Sequence, residues 1–308
     1  MPDLVIVFAG SPAAAVPGLS TLSASRHEVA AVVTREDSPT GRRRELTATP
    51  VAVAAEELAL PVIKANRLAG PATEAITALR PDLGVIVAYG GLVREPLLSA
   101  PRLGWINLHF SLLPRWRGAA PVQRAIIAGD DITGASVFQL VPDLDAGDVY
   151  GTLTQAIRPD ETAGELLDSL AVSGAQLLLG VVDAIADGTA RAEAQSGDVT
   201  LAPKLELEDG RLRWTETAGE VLNRFRGVTP EPGAFTTVGG LRLKVVEARI
   251  AHDAAPLAPG RFSLADGRLL VGTASSPIEL ITVHPAGKRP MRAVDWWRGR
   301  PAGAAVAE

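Results

Sequence analysis

Asn107 and His109 stand two residues apart near the end of the apolar run Trp105 to Phe110. Residues two apart on an extended strand project to the same face, so a carboxamide and an imidazole can aim at one small volume. An amide N–H and an imidazolium N–H are donors suited to a developing oxyanion. Three carboxylates, Asp143, Asp145 and Asp148, follow in the stretch VPDLDAGDVY, residues 141–150. A carboxylate beside an imidazole favours its charged form, fixes its orientation and can carry a proton. Asp145 precedes Ala-Gly, a sequence that turns sharply and presents a side chain into a cleft; Asp143 and Asp148 compete for the role.

The elements that must position these groups alternate along the first half of the chain. Residues 4–10, 28–34, 82–90 and 104–110 read as strands, and residues 51–60 and 118–130 as helices. GASVFQLV and VYGTLTQAI, ahead of and behind the carboxylate turn, read as further strands. Strands alternating with helices imply a largely parallel sheet, and continuous apolar runs fit strands covered on both faces. Such sheets bind ligands at the carboxyl ends of their strands, which is where Asn107 and His109 fall. Residues 161–188 form a long helical pattern, opened by a Thr162/Glu165 capping box and closed at Asp187-Gly188.

Residues 189–206 are polar and aperiodic and read as a linker between a domain at 1–188 and another at 207–308. The second domain pairs a short amphipathic helix, AGEVLNRFRGV, with short alternating runs joined by Gly239-Gly240 and Asp266-Gly267. That texture predicts a small β-barrel.

Composition narrows the function classes. The 308 residues contain no cysteine, which excludes disulfides, thiol catalysis and cysteine metal sites. The four histidines, at 27, 109, 252 and 284, show no metal-ligand spacing. The N-terminal stretch lacks a basic leader, and no uninterrupted apolar run reaches membrane-spanning length, so a cytoplasmic, metal-free enzyme is expected. The net charge of −5 is uneven: from Lys204 onward there are 15 Lys and Arg against 12 Asp and Glu, and before it 15 against 23. A mildly basic C-terminal domain can hold a polyanion beside an acidic one. The Gly-rich turn FAGSP lacks the G-x-G-x-x-G spacing, which argues against a dinucleotide site. The loop REDSPTGRRRELTATP, residues 35–50, carries Arg42, Arg43 and Arg44 and suits a mobile grip on phosphates.

Taken together, FAGSP, VAYGGLV, NLHFSLLPRWRGAAPVQRAI, LDAGD, TLAPKL and HPAGKRPM resemble the methionyl-tRNA formyltransferase family over most of the chain. The Asn-x-His…Asp set alone belongs to the wider folate formyltransferases; SLLPRWRGAAP with the arginine loop and the β-rich second domain points to the tRNA enzymes. The resemblance implies a Rossmann-like domain followed by a smaller OB-like barrel. It implies transfer of the formyl group of 10-formyltetrahydrofolate to the methionyl amine of initiator tRNA; a monomer is expected. Asn107, His109 and Asp145 correspond to its catalytic set, Ser111, Leu112, Leu113 and Pro114 to its folate segment, and Arg42 to its contact with the tRNA acceptor end. The expected chemistry is direct attack by the neutral amine, with Asn107 and a protonated His109 stabilising the tetrahedral oxyanion. Asp145 keeps His109 charged and helps move the proton. Two stretches depart from the family pattern: GRRRE (41–45) replaces a lysine-rich insertion, and VTPEPGA (228–234) carries Glu231 where an aromatic is usual.

Overall fold

The structure is a computed structural model that describes residues 3–40, 44–300 and 306–308. The chain divides into two compact units: residues 1–121, 132–156 and 167–202 form one, and residues 122–131, 157–166 and 203–308 the other.

The first unit is built on a seven-stranded sheet. Its strands are β1 (Val5–Gly10), β2 (Glu28–Thr34), β5 (Val62–Lys64), β6 (Leu83–Val87), β7 (Trp105–His109), β9 (Ile132–Gln139) and β10 (Val149–Ala156), in the spatial order β10-β9-β7-β6-β1-β2-β5. The five strands from β7 to β5 run parallel, while β9 and β10 pair antiparallel. This is the Rossmann-like, mostly parallel arrangement read from the alternation, with β9 alone running against the other strands and β10 beyond it at the edge. Between β2 and β5, the hairpin β3 (Ser38–Thr40) and β4 (Glu45–Thr47) flanks the arginine loop. Two very short strands, β8 (Arg117–Gly118) and β11 (Leu201–Ala202), pair with each other in parallel.

The helices are α1 (Val16–Ser23), α2 (Pro50–Glu57), α3 (Pro71–Ala78), α4 (Pro121–Ala128) and α5 (Ala163–Ala186). The Thr49 side chain caps α2 by accepting from the Ala52 N–H at 3.0 Å. Thr162 and Glu165 form the expected box at the start of α5: each side chain accepts from the other's backbone N–H. By length and composition alone α5 could cross a membrane, although its sequence holds no uninterrupted apolar run of that length. Its buried residues recur at helical spacing, Leu166, Leu170, Ala171, Ala175, Leu178 and Val182, which is the stripe of a core helix. Asp168 and Asp183 also lie along it.

Trp105 locks β7 in register. Its indole lies against Gly84, its partner on β6, where any Cβ would collide with the ring. Its Nε1–H donates to the Leu97 carbonyl at 2.9 Å. Around it Val7, Ala9, Val33, Ile76, Ile86 and Leu97 close a buried cluster. The strand carrying the candidate residues is thus fixed by its own first residue.

The second unit contains α6 (Ala218–Gly227), β12 (Phe235–Val238), β13 (Leu241–Ile250), β14 (Phe262–Ala265), β15 (Arg268–Val271), β16 (Ile278–Pro285), β17 (Met291–Arg292) and α7 (Ala293–Arg298). Its antiparallel sheet follows the order β12-β13-β16-β15-β14, with β17 on β16. Both hairpin signals are used: Gly239 and Gly240 at the β12–β13 turn, and Asp266 and Gly267 at the β14–β15 turn, all have positive φ. Residues 306–308 join the two outer strands. Ala307 bridges Val238 of β12, and Val306 bridges Arg261 just ahead of β14. The sheet so closed wraps a core of Trp214, Phe225, Leu243, Phe262, Leu269 and Trp296 among others.

Candidate active site

β7 delivers Asn107 and His109 to one place, as period-two geometry requires. Asn107 pairs with Phe138 and His109 with Ser136 across β9. The Phe138 ring meets the His109 ring edge-on, with centroids 6.3 Å apart and planes at 84°. The His109 side chain is 6% exposed. Its Nε2 lies 2.8 Å from the Trp116 carbonyl oxygen. A carbonyl can only accept, so Nε2 carries the proton. In the neutral ring Nδ1 is then a bare lone pair, and it faces Asp145 Oδ2 at 3.8 Å.

Burial acts against the charged His109 expected from sequence. Burial pushes the His109 imidazole down from its ordinary value, against opposing contributions from the Asp145 charge and the Trp116 hydrogen bond. The resting ring is therefore held toward neutral, because desolvation outweighs a carboxylate that is near but not in contact. The sequence shows that a carboxylate is available; it does not show how deeply β7 is sunk.

Asp145 lies in the turn between β9 and β10 and adopts a left-handed backbone, φ 46°. Its Oδ2 accepts the Gly118 N–H at 2.8 Å. Gly147, two residues on, passes so close to the Gln139 carbonyl that any Cβ would collide with it. The Asp-Ala-Gly sequence thus makes the sharp turn anticipated, and Asp145 is the carboxylate paired with His109. The Asn107 Oδ1 atom is buried with no hydrogen-bond partner among the described residues, a polar group that calls for a ligand.

Residues 111–114 form the loop between β7 and β8. Ser111 is fully buried and its hydroxyl donates to the Arg115 carbonyl at 2.6 Å. The Ser136 hydroxyl donates to the Ser111 carbonyl at 2.7 Å and accepts the Leu113 N–H at 3.3 Å. Ser111 therefore shapes the loop, and Leu112 and Leu113 are its partly exposed faces while Pro114 is buried. Leu113 lines a cavity of about 330 Å³ together with Tyr150, Arg191 and Gln195. A larger cavity, about 800 Å³, is lined by Asn66, Arg67, Leu68, Gly90, Leu92 and Arg94 among others. The VAYGGLV strand end thus borders a cavity, but the catalytic candidates line neither of the two. At the FAGSP turn, Ser11 Oγ donates to the Tyr89 carbonyl at 3.2 Å and accepts the Arg35 N–H at 3.3 Å, tying strand ends together.

Of the arginine loop, Arg42 and Arg43 lie outside the described residues; Arg44 is exposed with φ 52°. Among the described residues no group of three or more His, Asp or Glu side chains is arranged to hold a metal ion.

Sequence reasoning missed four contributors. Trp116 and Gly118 supply the two backbone groups that hold His109 and Asp145. Gln195 and Thr200 fall in the stretch read as a linker, where polarity and lack of periodicity give no signal. Thr200 Oγ1 accepts the Trp116 N–H at 2.9 Å, and Gln195 Nε2 donates to the Asp145 and Gly147 carbonyls at 2.8 Å each.

The fold and this site define a formyl transferase: residues 4–182 match the formyl transferase family, and residues 204–301 match the formyl transferase C-terminal domain. Solved structures share the fold at low identity. A sugar 3N-formyl transferase, WlaRD, aligns at TM-score 0.67 and 13% identity over 94% of this chain and 100% of that one. Curated relatives are far more similar. The methionyl-tRNA formyltransferase of Leifsonia xyli subsp. xyli is 64% identical over 295 residues, 96% of this chain and 97% of that protein. That of Clavibacter sepedonicus is 61% identical over 96% of each chain. The chain belongs to the methionyl-tRNA formyltransferase family.

Proposed function

We propose that this protein transfers the formyl group of 10-formyltetrahydrofolate to the amino group of initiator methionyl-tRNA. The observation that carries the reading is near full-length identity of 64% to a protein of that name. The juxtaposition of Asn107, His109 and Asp145 on one sheet edge gives it a mechanism.

The methionyl amine attacks the formyl carbon. A C–N bond forms, and the carbonyl π pair moves to oxygen. The amine gives a proton to His109 Nδ1, whose lone pair is free because Nε2–H is committed to the Trp116 carbonyl. The imidazolium so formed is stabilised by Asp145, 3.8 Å away. Asp145 thus acts on the charge that appears during reaction, and His109 starts as a base. The Asn107 carboxamide donates to the formyl oxygen with its NH₂ and accepts from the amine with Oδ1. Collapse of the intermediate breaks the bond to the folate nitrogen, which takes the proton back from Nδ1. Proton transfer of this kind contributes about 10²–10⁴ in rate, and one oxyanion donor about 10²–10³.

The donor is held by the loop 111–114, where Leu112 and Leu113 are the partly exposed side chains. The stretch from Lys204 onward, with 15 Lys and Arg against 12 Asp and Glu, and the arginine loop contact the tRNA. Transfer of label from 10-formyltetrahydrofolate to methionyl-tRNA, comparing wild type with Asn107→Ala, tests the reading. Labelled formyl-methionyl-tRNA formed by wild type and lost in the variant supports it; release of free formate with no acceptor use refutes it.

A further inference from the structure

Gln195 lies in the stretch whose composition reads as a linker, yet its side chain closes a ring of hydrogen bonds around Asp145. Nε2 donates to the Asp145 and Gly147 carbonyls, both at 2.8 Å. Oε1 accepts from Arg117 Nε at 3.1 Å and Nη2 at 2.6 Å. Arg117 and Gly118 form β8, and the Gly118 N–H donates to Asp145 Oδ2 at 2.8 Å. The ring therefore runs from Gln195 through the Asp145 backbone to its carboxylate, on to Gly118 and Arg117, and back to Gln195.

Asp145 needs such support. A left-handed φ is uncommon for a residue with a side chain and persists where its surroundings impose it. Gln195 is brought into place by a backbone bridge two residues earlier, where Val149 and Glu193 exchange N–H···O bonds of 2.8 and 3.0 Å. The same segment also acts on the other partner of His109, since Thr200 Oγ1 holds the N–H of Trp116.

We infer that Gln195 is a positioning residue for formyl transfer, which sets the Asp145 carboxylate against His109 by clamping the Asp145–Gly147 turn to β8. It touches no reacting atom. The inference rests on the proposed function for its kinetic arm only. The chemistry demands a carboxamide of this length. A glutamate would set a carboxylate against two carbonyl oxygens, and an asparagine is one methylene short of spanning from the turn to Arg117.

The test compares Gln195→Ala and Gln195→Glu with Val199→Ala, an exposed neighbour in the same segment, as control. Each full-length variant is assayed for kcat and KM with methionyl-tRNA and the formyl donor. His109 is titrated separately by ¹⁵N NMR in the free protein. The expected result is a kcat loss of about 10–100-fold in both Gln195 variants, the scale of a catalytic group misplaced by an ångström. Both KM values stay within about threefold of wild type, and melting temperature is nearly unchanged. In Gln195→Ala the His109 titration moves to lower pH, because Asp145 has drifted from Nδ1. Wild-type kcat with an unmoved titration overturns the inference. So does a kcat loss that comes only with a collapsed melting temperature and raised KM values, which is the mark of general structural damage. If wild type itself formylates no methionyl-tRNA, the functional reading fails, and the His109 titration still decides the positioning claim.

Discussion

His109 Nδ1 and Asp145 Oδ2 face each other across 3.8 Å as two acceptors. The only ring proton of the neutral imidazole is spent on the Trp116 carbonyl, 2.8 Å from Nε2. The gap between two acceptors is a place for a proton to arrive. A site built this way takes a proton from an attacking amine at little cost, because the carboxylate that will stabilise the cation is already in position.

The tautomer is directly observable. In ¹⁵N-labelled protein at neutral pH, His109 is expected in the neutral Nε2–H form. A long-range ¹H–¹⁵N correlation spectrum reads this as a pyridine-like Nδ1 shift and a pyrrole-like Nε2 shift. An averaged, doubly protonated pattern at neutral pH contradicts the base role.

The pH dependence follows with a definite sign. Burial lowers the His109 value below its ordinary one, so the neutral, proton-accepting ring is present above that lowered value and is lost as pH falls through it. kcat/KM therefore declines as pH falls, with its acid-side midpoint below the ordinary histidine value. The Asp145 charge opposes the lowering, so Asp145→Asn removes that opposition and shifts the NMR titration further toward acid. The same substitution costs about 10²–10⁴ in kcat with modest effect on binding of the formyl donor. Near-normal turnover of the variant would move the role to Asp143 or Asp148.

Much of this site was legible in the sequence, for a physical reason. Strand periodicity puts Asn107 and His109 on one face, and Asp-Ala-Gly marks the turn that presents Asp145. Those signals are local, so they survive without tertiary information. The direction of the His109 shift was not legible, because it depends on burial of the ring and on a backbone carbonyl seven residues away. Gln195 and Thr200 were invisible for a related reason. Each acts through a side-chain bond to a backbone group more than 45 residues distant in sequence, and such bonds leave no period in the segment that makes them. The parallel sheet was read from its continuous apolar runs; the antiparallel run of β9 and β10 depends on pairing partners that strand composition does not encode.

Neutralising the arginine loop tests the polyanion contact. Replacing Arg42, Arg43 and Arg44 together by Gln is expected to weaken use of methionyl-tRNA while leaving the formyl-donor KM unchanged. A plot of log KM for tRNA against log salt loses about 2–3 units of slope, since each of the three lost phosphate contacts contributes about 0.7–0.9. An unaltered slope removes the loop from the tRNA surface.

The seat of β7 gives a stability prediction that is separable from chemistry. Trp105 packs on Gly84 with no room for a methyl group, so Gly84→Ala must push the indole or split the β6–β7 pairing. Overpacking of this kind costs about 1–3 kcal/mol, read as a lowered urea midpoint. Since Trp105 begins the strand that ends in His109, kcat falls as well. A stability equal to wild type would mean that β7 is not held by its tryptophan.

Closure of the second unit makes the final prediction. The Ala307 N–H donates to the Gly260 carbonyl, and Thr237 and Glu308 exchange a pair of backbone hydrogen bonds of 2.8 and 2.9 Å. Ala307 is buried among the core side chains. Deleting residues 306–308 removes three backbone bonds, worth about 1 kcal/mol each net, and exposes the facing edges of β12 and β14 to other strands. The truncated protein is expected to lose about 3 kcal/mol from the unfolding transition of the second unit and to self-associate. Urea unfolding followed by tryptophan fluorescence, with Trp214, Trp296 and Trp297 all in that unit, reads the first effect, and sedimentation velocity reads the second. An unchanged midpoint with a single monomeric boundary would mean that β12 and β14 hold their places without the terminal strap.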